Sequence, residues 1–364
     1  MNVSAQKSIA VFLDRDGVMN TERSYIIKPE DLELFWYTPK ALSLIGNAGY
    51  KTIVVTNQSA IARGMFTLTD LENIHERMRM ELEKKGANLD AIYLCPHMPV
   101  EANTTPENEF QTDCSCRKPK PGMLLQAARD WNIDLKKSIM IGDTARDMEA
   151  GKQAGCYTIG VRTGYGLKDY KHTPDFLADN LLDAALIVTS KEYANLFDHL
   201  QIELNKIEKP LIIGIGGNSR TGKSSLAAYL KMHFELHGNK TLLIQSDQGT
   251  KVSEAQAYVE FNPKSHTPEF MVCTLAEILD KTDLPDIILI EGKTVLTHEP
   301  LLKLLHLKIL LETTEKKRKQ RFKEYFSWQE IPEDEQELLL KQIIEQEFLL
   351  EILPGNHADF VIQT

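Results

Sequence analysis

The first 190 residues alternate short apolar segments with longer amphipathic ones, and this rhythm limits the fold more than any other feature. The apolar segments occupy residues 9–14, 52–57, 91–95, 138–143 and 157–161. Amphipathic segments lie between them, near residues 38–48, 68–85, 121–131 and 145–154. Short apolar runs that alternate with helical patterns predict a parallel sheet covered by helices.

The same rhythm begins again after Pro210, with apolar segments at 211–217, 241–247 and 287–292. Residues 191–209 are polar and helical in pattern. A chain of 364 residues is also too long for one ordinary core. We therefore predict an α/β chain with a first domain in residues 1–190, a helical linker in 191–209 and a second domain in 210–364.

Composition excludes several classes of protein. The net charge of -10 argues against general nucleic-acid binding, which needs a basic surplus. The longest apolar runs are too short to cross a bilayer, and the N-terminal sequence does not have the pattern of an export signal. We expect a cytoplasmic protein with no nucleic-acid or membrane partner, whose five cysteines bind metal or stay reduced.

The segment FLDRDG (12–17) places Asp14 at a predicted strand end and Asp16 at the start of a glycine turn. One carboxylate can attack phosphorus while the other moves protons, so Asp14 is the candidate nucleophile and Asp16 the candidate acid/base. The attack of a carboxylate on a phosphate needs a divalent cation, and Asp14 and Asp143 are candidate magnesium ligands. Thr56, Asn57 and Lys118 are available at neighbouring strand ends or loops to hold the phosphate oxygens. The alternative is an acidic glycine turn that only reverses the chain.

Four segments in order, FLDRDG, TNQSAIARG (56–64), CRKPKPGM (116–123) and GDTARDMEAG (142–151), resemble the haloacid dehalogenase superfamily. They are most similar to the bacterial D,D-heptose 1,7-bisphosphate phosphatases, with the histidinol-phosphate phosphatases as the neighbouring branch. The resemblance implies a HAD-like Rossmannoid domain that cleaves the 7-phosphate of a heptose bisphosphate through an aspartyl-phosphate. It implies Asp14, Asp143 and the carbonyl of Asp16 as magnesium ligands, and Thr56 and Lys118 as phosphoryl-stabilising residues.

The same resemblance implies contacts with the sugar from Arg117 and from the segment that follows FLDRDG. The expected substrate-binding residues are Glu22, Arg23, Ser24, Tyr25, Asn57, Gln58, Ser59, Arg117 and Thr144. Ala60 and Thr144 depart from the family pattern, which usually has glycine and lysine there. A histidinol-phosphate or broad-specificity phosphatase therefore stays the alternative.

Two spaced pairs, Cys95 with His97 and Cys114 with Cys116, have the pattern of a zinc site. Residues i and i+2 of an extended segment point to the same side, so two such pairs can complete a tetrahedron. Four protein ligands leave no open position, which makes the expected zinc structural. The alternative is two unrelated loops with buried thiols; the resembling phosphatases carry such a zinc. Because Arg117 and Lys118 follow Cys116, we expect the zinc to fix where these two cations point.

The segment GNSRTGKS (217–224) lies between a glycine-rich strand end and a helix, the context of a P-loop. We expect this second domain to be a P-loop NTPase α/β domain that binds ATP and Mg²⁺. The expected nucleotide-binding residues are Gly217, Asn218, Ser219, Arg220, Thr221, Gly222, Lys223, Ser224 and Ser225. Ser224 and Glu291 are candidate magnesium ligands, and Asp247 is a candidate base for an acceptor hydroxyl.

These features are similar to the uridine kinase and phosphoribulokinase group, and residues 357–362 (HADFVI) are similar to their final strand. The similarity implies Arg318 and Arg321, in the basic run KKRKQRFK, as lid arginines that close on the triphosphate. The leading hypothesis is a sugar bisphosphate phosphatase fused to a small-molecule kinase. The alternatives are a phosphatase whose second domain senses nucleotide, and one whose second domain mediates assembly.

Overall fold

The computed structural model describes residues 7–100, 106–167, 174–207, 209–245, 251–253, 256–260, 268–328, 331–348 and 358–364. The chain divides into two compact units, Met1–Thr189 and Ser190–Thr364. Each unit contains its own parallel sheet, so the predicted α/β class is confirmed for both.

The first unit is a six-stranded parallel sheet in the order β3-β2-β1-β4-β5-β6. The strands are β1 (Ala10–Leu13), β2 (Lys51–Asn57), β3 (Ala91–Cys95), β4 (Ile139–Gly142), β5 (Tyr157–Val161) and β6 (Phe176–Ala178). The helices are α1 (Thr38–Asn47), α2 (Leu68–Lys84), α3 (Gly122–Asp130), α4 (Ala145–Ala154) and α5 (Leu181–Thr189). Short 3₁₀ turns occupy Pro29–Asp31 and Leu135–Lys137.

The central strands of the first unit are apolar on both faces because helices cover both sides. All four residues of β1 are fully buried. Phe12 and Val55 pack with Met123 and Leu124 of α3 in one core cluster. The order of the strands puts β1 between β2 and β4, so the carboxyl ends of these three strands open at one edge, where ligands bind in open α/β sheets.

The second unit contains a five-stranded parallel sheet in the order β13-β12-β7-β11-β8 and a two-stranded ribbon. The sheet strands are β7 (Leu211–Gly216), β8 (Thr241–Gln245), β11 (Ile287–Glu291), β12 (Leu307–Glu312) and β13 (Phe360–Gln363), and the ribbon is β9 (Lys251–Ser253) with β10 (Gln256–Glu260). The helices are α6 (Lys191–Leu204), α7 (Lys223–Leu236), α8 (Pro268–Leu279), α9 (Glu299–Leu302), α10 (Glu315–Trp328) and α11 (Glu333–Phe348).

Residues 191–209, which the sequence analysis interpreted as a linker, lie in the second unit. The helix is present as α6, but it is amphipathic, and Tyr193, Leu196, Phe197 and Leu200 are buried. Phe197 contacts Phe234 of α7 with ring centroids 5.0 Å apart. Burial of this apolar face makes α6 part of the core of the second unit. Within the described residues no helix has the length and apolar character needed to cross a bilayer.

Candidate functional site

The carboxyl ends of β1, β2 and β4 bring together the polar residues predicted at the strand ends. Asp14 directly follows β1, and its backbone N–H donates to the carbonyl of Ile141 in β4 (2.9 Å). Thr56 and Asn57 end β2, and Asp143 directly follows β4. These side chains, together with Lys118, line one open pocket of about 260 Å³.

Lys118 joins three parts of this sheet edge through its ammonium group. Its Nζ lies 2.8 Å from Asp14 Oδ1 and 2.6 Å from Asp147 Oδ1, and it donates to the carbonyl of Val55 (2.8 Å). The Lys118 loop is also held to β2, because Asn57 Nδ2 donates to the Lys118 carbonyl and the Lys118 N–H donates to Asn57 Oδ1, both at 3.1 Å. Although Lys118 is only 2% exposed, its two carboxylate partners raise its pKa, so the side chain stays charged.

Asp147 belongs to the site, and the sequence analysis missed it. It lies in the first turn of α4 and is fully buried. While Oδ1 faces Lys118, Oδ2 accepts from the Thr144 hydroxyl (2.6 Å) and the Thr144 N–H (3.0 Å). The available signal was a second acid four residues after Asp143, within GDTARD, at the start of a predicted helix that follows the strand end.

Asp14, Asp143 and Asp147 form a carboxylate cluster whose ligand oxygens lie within 4.8 Å of one another. Burial raises the pKa of Asp14 to about 7, and burial with the charges of Asp14 and Asp147 raises the pKa of Asp143 well above its usual value. Asp143 Oδ1 has no hydrogen-bond partner within the described part of the chain. Three close carboxylates against one lysine leave an excess of negative charge, so these oxygen donors fit a hard divalent cation.

Asp16 lines the same pocket but is not part of the carboxylate cluster. Its Oδ1 accepts from Asn20 Nδ2 and its Oδ2 from Gln58 Nε2, both at 3.0 Å. Arg15 binds both oxygens (Nη2 to Oδ2, 2.7 Å). Although burial opposes the charge, Arg15 and these hydrogen bonds lower the pKa of Asp16, so it is held as a carboxylate, the form a general base requires.

Gly17 and Gly164 lie against each other and both pack against Asp143 Oδ2. Both have left-handed backbone conformations, with φ of +77° and +62°. A Cβ atom at either position would overlap Asp143 Oδ2. The next residue, Tyr165, donates its backbone N–H to that oxygen (2.8 Å). These positions therefore require glycine for both their conformation and their close approach.

All the residues that the sequence analysis assigned to substrate contact line the same pocket, from Glu22 to Thr144. The set is Glu22, Arg23, Ser24, Tyr25, Asn57, Gln58, Ser59, Arg117 and Thr144. The structure adds Arg63, Arg146 and Tyr165 to the pocket wall.

Arg63, Arg117 and Arg146 form a group of cations on this wall, which we call the arginine group. Burial and the charges of Arg146 and Arg63 lower the pKa of Arg117, so both arginines act electrostatically on Arg117. Arg117 Nη1 donates to the carbonyl of His97 (3.0 Å). Arg63 and Arg146 form no ion pair among the described residues, although the charge of Arg146 acts on the Glu22 carboxylate in the same pocket. Close unpaired arginines are suited to an anion.

Cys95, His97, Cys114 and Cys116 converge as the spacing predicted. The three sulfur–sulfur distances are 3.2 Å, 3.3 Å and 3.6 Å, and His97 Nδ1 lies 3.3 Å from Cys116 Sγ and 3.6 Å from Cys95 Sγ. All the cysteines are free thiols. Four ligands around a zinc ion with Zn–S bonds of about 2.3 Å lie roughly 3.5–3.8 Å apart, so this slightly compressed set fits a closed tetrahedral zinc site.

In the second unit, the glycine-rich loop connects β7 to α7 as predicted. Gly217 and Gly222 have positive φ of 141° and 97°, and Lys223 begins α7. Lys223 Nζ donates to the carbonyl of Asn218 (2.9 Å), so the lysine lies over the loop. Ser224 donates to Glu291 Oε1 (2.8 Å), which places the two candidate magnesium ligands in contact.

Helix α10 contacts this loop through the two arginines expected in a lid. Arg318 Nε donates to the carbonyl of Ser219 (3.1 Å), and Arg321 Nη1 donates to the carbonyl of Arg220 (3.0 Å). Glu291 is buried and also accepts from Gln245 Nε2 (2.6 Å), a neighbour that the sequence analysis did not name. The candidate base Asp247 lies outside the described residues.

Comparison with known proteins yields matches to the first unit. A family of HAD-hydrolase-like proteins matches residues 115–184. The D-glycero-beta-D-manno-heptose-1,7-bisphosphate 7-phosphatase of Pasteurella multocida is 39% identical over 49% of this chain and 96% of its own length. The D-glycero-D-manno-heptose-1,7-bisphosphate 7-phosphatase of Thermosynechococcus vestitus is 39% identical over 48% of this chain and 92% of its own. A relative from Photorhabdus laumondii, named for the alpha anomer, is 42% identical over 42% of this chain and 82% of its own.

Two solved structures are also similar to parts of the chain. The D,D-heptose 1,7-bisphosphate phosphatase of B. bronchiseptica, complexed with magnesium and phosphate, is 30% identical and covers 54% of this chain and 99% of its own, with a TM-score of 0.44. A possible uridine kinase from Bacillus stearothermophilus is 17% identical over 47% of this chain and 99% of its own, with a TM-score of 0.29. Because curated relatives are matched over nearly their whole length, the chain belongs, through its first unit, to the haloacid dehalogenase-like family of heptose bisphosphate phosphatases.

Proposed function

We propose that the first unit is a magnesium-dependent phosphatase that removes the 7-phosphate of D-glycero-D-manno-heptose 1,7-bisphosphate. One observation carries the proposal: three carboxylates and one lysine converge in one pocket. They are Asp14, Asp143, Asp147 and Lys118. The names of the matched relatives supply the substrate, and they include both anomers.

The reaction follows from the positions of two carboxylates and one lysine. Asp14 attacks the 7-phosphorus, and the bond between phosphorus and the sugar oxygen breaks. The negative charge of the bound phosphate favours the protonated form of Asp16, which gives its proton to the leaving oxygen. Asp16, now a carboxylate, takes a proton from water, whose oxygen attacks phosphorus and releases phosphate from Asp14. Lys118 holds the nucleophile and neutralises charge on the transferred group.

Asp14, Asp143 and the carbonyl of Asp16 would hold Mg²⁺, and Asp147 lies beside them. When bound, the cation would offset the repulsion between the Asp14 carboxylate and the phosphate. Thr56 and Asn57 at the end of β2 would offer further polar contacts to the phosphate. The pocket mouth, with Glu22 and Tyr25, would meet the sugar.

The arginine group supports a bisphosphate over a monophosphate substrate. One phosphate occupies the carboxylate–lysine edge, and the second needs cations elsewhere on the wall, which Arg63, Arg117 and Arg146 provide. A substrate with one phosphate, such as histidinol phosphate, would have no second anion to bind the arginine group. We therefore expect the bisphosphate to be preferred.

A screen of phosphate release tests the proposal. The purified protein is incubated with Mg²⁺ and each anomer of heptose 1,7-bisphosphate, the 1- and 7-monophosphates, and histidinol phosphate. The expected result is the highest kcat/KM on one bisphosphate anomer, with loss of at least about 1,000-fold in Asp14→Asn. Equal rates on all substrates would leave a broad-specificity phosphatase, and unchanged activity in Asp14→Asn would refute the proposed nucleophile.

We also propose that the second unit is an ATP-dependent small-molecule kinase. The contacts of Lys223 with the loop and of Ser224 with Glu291 support it, because these groups are suited to phosphates and Mg²⁺. Arg318 and Arg321 would exchange loop carbonyls for phosphate oxygens when nucleotide binds.

The test is ATP turnover with a panel of sugars and nucleosides as acceptors. A kinase shows acceptor-dependent ADP formation that Lys223→Ala abolishes while phosphate release from the bisphosphate is unchanged. A nucleotide sensor instead shows ATP-dependent phosphatase activity and no phosphorylated acceptor. A domain used only for assembly binds no ATP.

A further inference from the structure

Arg15 is a buried cation that separates the proposed nucleophile from the proposed acid/base in the sequence, and none of the steps above uses it. It is 1% exposed and is the largest of the fully buried side chains. Its guanidinium binds the Asp16 carboxylate through Nε (3.1 Å to Oδ1) and Nη2 (2.9 Å to Oδ1 and 2.7 Å to Oδ2). A planar donor group that meets both oxygens fixes the plane of the carboxylate as well as its position.

His75 of α2 lies behind this guanidinium and is also 1% exposed. Its Nε2 lies 3.3 Å from Arg15 Nη1. A guanidinium can only donate, so Nε2 accepts and the ring is neutral with its proton on Nδ1. Burial, with the charge of Arg15, lowers the pKa of His75 to about 3, which agrees with a neutral ring.

The contacts therefore run from α2 through His75 and Arg15 to Asp16. Asn20 and Gln58 hold the carboxylate from other directions, but neither reaches the far side of the guanidinium. His75 is the contact that the structure gives to Nη1. Without an acceptor there, the guanidinium would be held by its bonds to Asp16 but not from its other end, so that guanidinium and carboxylate could shift together.

We propose that Arg15 and His75 are positioning residues for Asp16, and that they set it to take the proton of the water that hydrolyses the aspartyl-phosphate. The water oxygen bonds to phosphorus, its proton passes to Asp16, and the bond between Asp14 and phosphorus breaks to release inorganic phosphate. The inference rests on the proposed phosphatase function and assigns the pair to its second step.

The experiment uses p-nitrophenyl phosphate with Mg²⁺, because its leaving group needs no protonation and the first step is then independent of Asp16 as an acid. The full-length protein is compared with His75→Leu, which removes the acceptor, and His75→Gln, whose amide oxygen can restore it. Met78→Leu is the matched control, since Met78 is fully buried in the same helix and is not one of the residues that line the pocket.

For His75→Leu we expect kcat to fall at least about tenfold and KM to fall with it, so that kcat/KM stays within roughly twofold. A pre-steady-state burst of about one p-nitrophenolate per active site should appear, because the aspartyl-phosphate accumulates. His75→Gln should recover kcat to within about threefold, and Met78→Leu should match the wild type. A merely structural role would lower kcat/KM and give no burst.

Wild-type kcat in His75→Leu, or equal defects in the Leu and Gln variants, would overturn the proposal. If His75→Leu does not fold, as judged by circular dichroism, His75→Asn replaces it, because its amide is one methylene too short to reach Nη1. The Asn and Gln variants must then differ in burst and kcat as described, and equal behaviour overturns the proposal. If the wild type and Asp14→Asn alike release no p-nitrophenolate, the phosphatase function itself has failed.

Discussion

Asp143 illustrates, at the scale of one residue, how the site gives up stability for binding. Its carboxylate is 1% exposed, and burial and the charges of Asp14 and Asp147 oppose its ionisation more strongly than Lys118 favours it. Asparagine has the same shape without the charge. We expect metal-free Asp143→Asn to melt roughly 2–4 °C above the wild type, about 1 kcal/mol, because the repulsion is relieved.

Differential scanning fluorimetry with and without Mg²⁺ checks this prediction. Millimolar Mg²⁺ should raise the Tm of the wild type and leave that of Asp143→Asn unchanged, because the variant lacks a ligand. Phosphate release should be lost in the variant. Asp31→Asn, outside the pocket, is the control and should respond to Mg²⁺ as the wild type does. Equal shifts in all three proteins would exclude Asp143 as a ligand.

His75 predicts a second residue-scale effect, on the pH dependence of stability. The unfolded chain binds a proton at His75 near pH 6.5, whereas burial keeps the folded protein from binding it until about pH 3. The unfolded state therefore holds more protons in this window, so stability is full above pH 6.5 and falls with decreasing pH, by about 1.4 kcal/mol per unit. We compare the free energies of unfolding of the wild type and His75→Gln by urea denaturation from pH 7.5 to 4.5. The stability of the wild type relative to the variant should decrease at this rate below about pH 6.5. A constant difference across the range would contradict it.

The residues of the first pocket were predictable where they end strands. Asp14, Asn57 and Asp143 follow apolar runs, and parallel strands bring such ends together. Asp147 was missed because an acid in the first turn of a helix has an ordinary explanation as a capping residue, and it does accept from Thr144. Arg146 was missed because an exposed arginine on a helix usually faces only water.

At the scale of elements, the turn after β1 and the loop after β5 meet at Gly17 and Gly164. We expect Gly164→Ala to lower the free energy of unfolding by about 2–3 kcal/mol and to abolish phosphate release, because the new methyl overlaps Asp143. Gly86→Ala is the matched control, since Gly86 also has a positive φ (72°) but has open space around its Cβ position. It should cost about 1 kcal/mol and keep activity. Urea denaturation measures the free energy of unfolding of both variants. Equal losses would mean that Gly164→Ala destabilises the protein through backbone strain alone and not through overlap with Asp143.

The zinc loop is the other element with a testable consequence. Arg117 follows Cys116, its N–H contacts Cys114 Sγ (3.4 Å), and its side chain donates to the carbonyl of His97. Loss of zinc should therefore displace Arg117 and Lys118 together. We expect Cys114→Ser to lower zinc content and to reduce kcat/KM by roughly 10–100-fold.

Metal analysis and steady-state kinetics on one preparation test the zinc prediction. Cys156→Ser, a buried thiol outside the cluster, is the control and should retain both zinc and activity. Full activity in a zinc-free protein would contradict the prediction that the zinc loop acts by positioning Arg117 and Lys118.

The elements of the first unit were predictable to within a residue or two wherever an apolar run or an amphipathic helix was long enough to show its period. β6 and α5 were not predicted, because a strand of three residues shows no period and α5 is apolar on most faces. The helix at 191–204 was predicted but assigned to a linker, since its polar residues hid a buried stripe that contacts α7.

At the scale of the whole molecule, the first unit corresponds to complete relatives. The Pasteurella multocida protein is matched over 96% of its length by 49% of this chain. We expect residues 1–189 alone to fold and to keep kcat within about threefold of the full chain, because a core of this size is sufficient for a domain. Circular dichroism and phosphate release check this expectation. An insoluble or inactive fragment would show that the phosphatase depends on the second unit.

The central place of β1 also bears on how the protein is made. β1 is synthesised first, yet one of its edges pairs only with β4, and the Ala10 N–H bonds to Ser138 Oγ across 128 residues. A ribosome-bound chain must therefore carry an unpaired edge of an apolar strand until β4 has emerged, and unpaired edges of this kind attract other chains. The need to shield this edge should thus end at about the point where Asp143, the residue after β4, has been added to the chain.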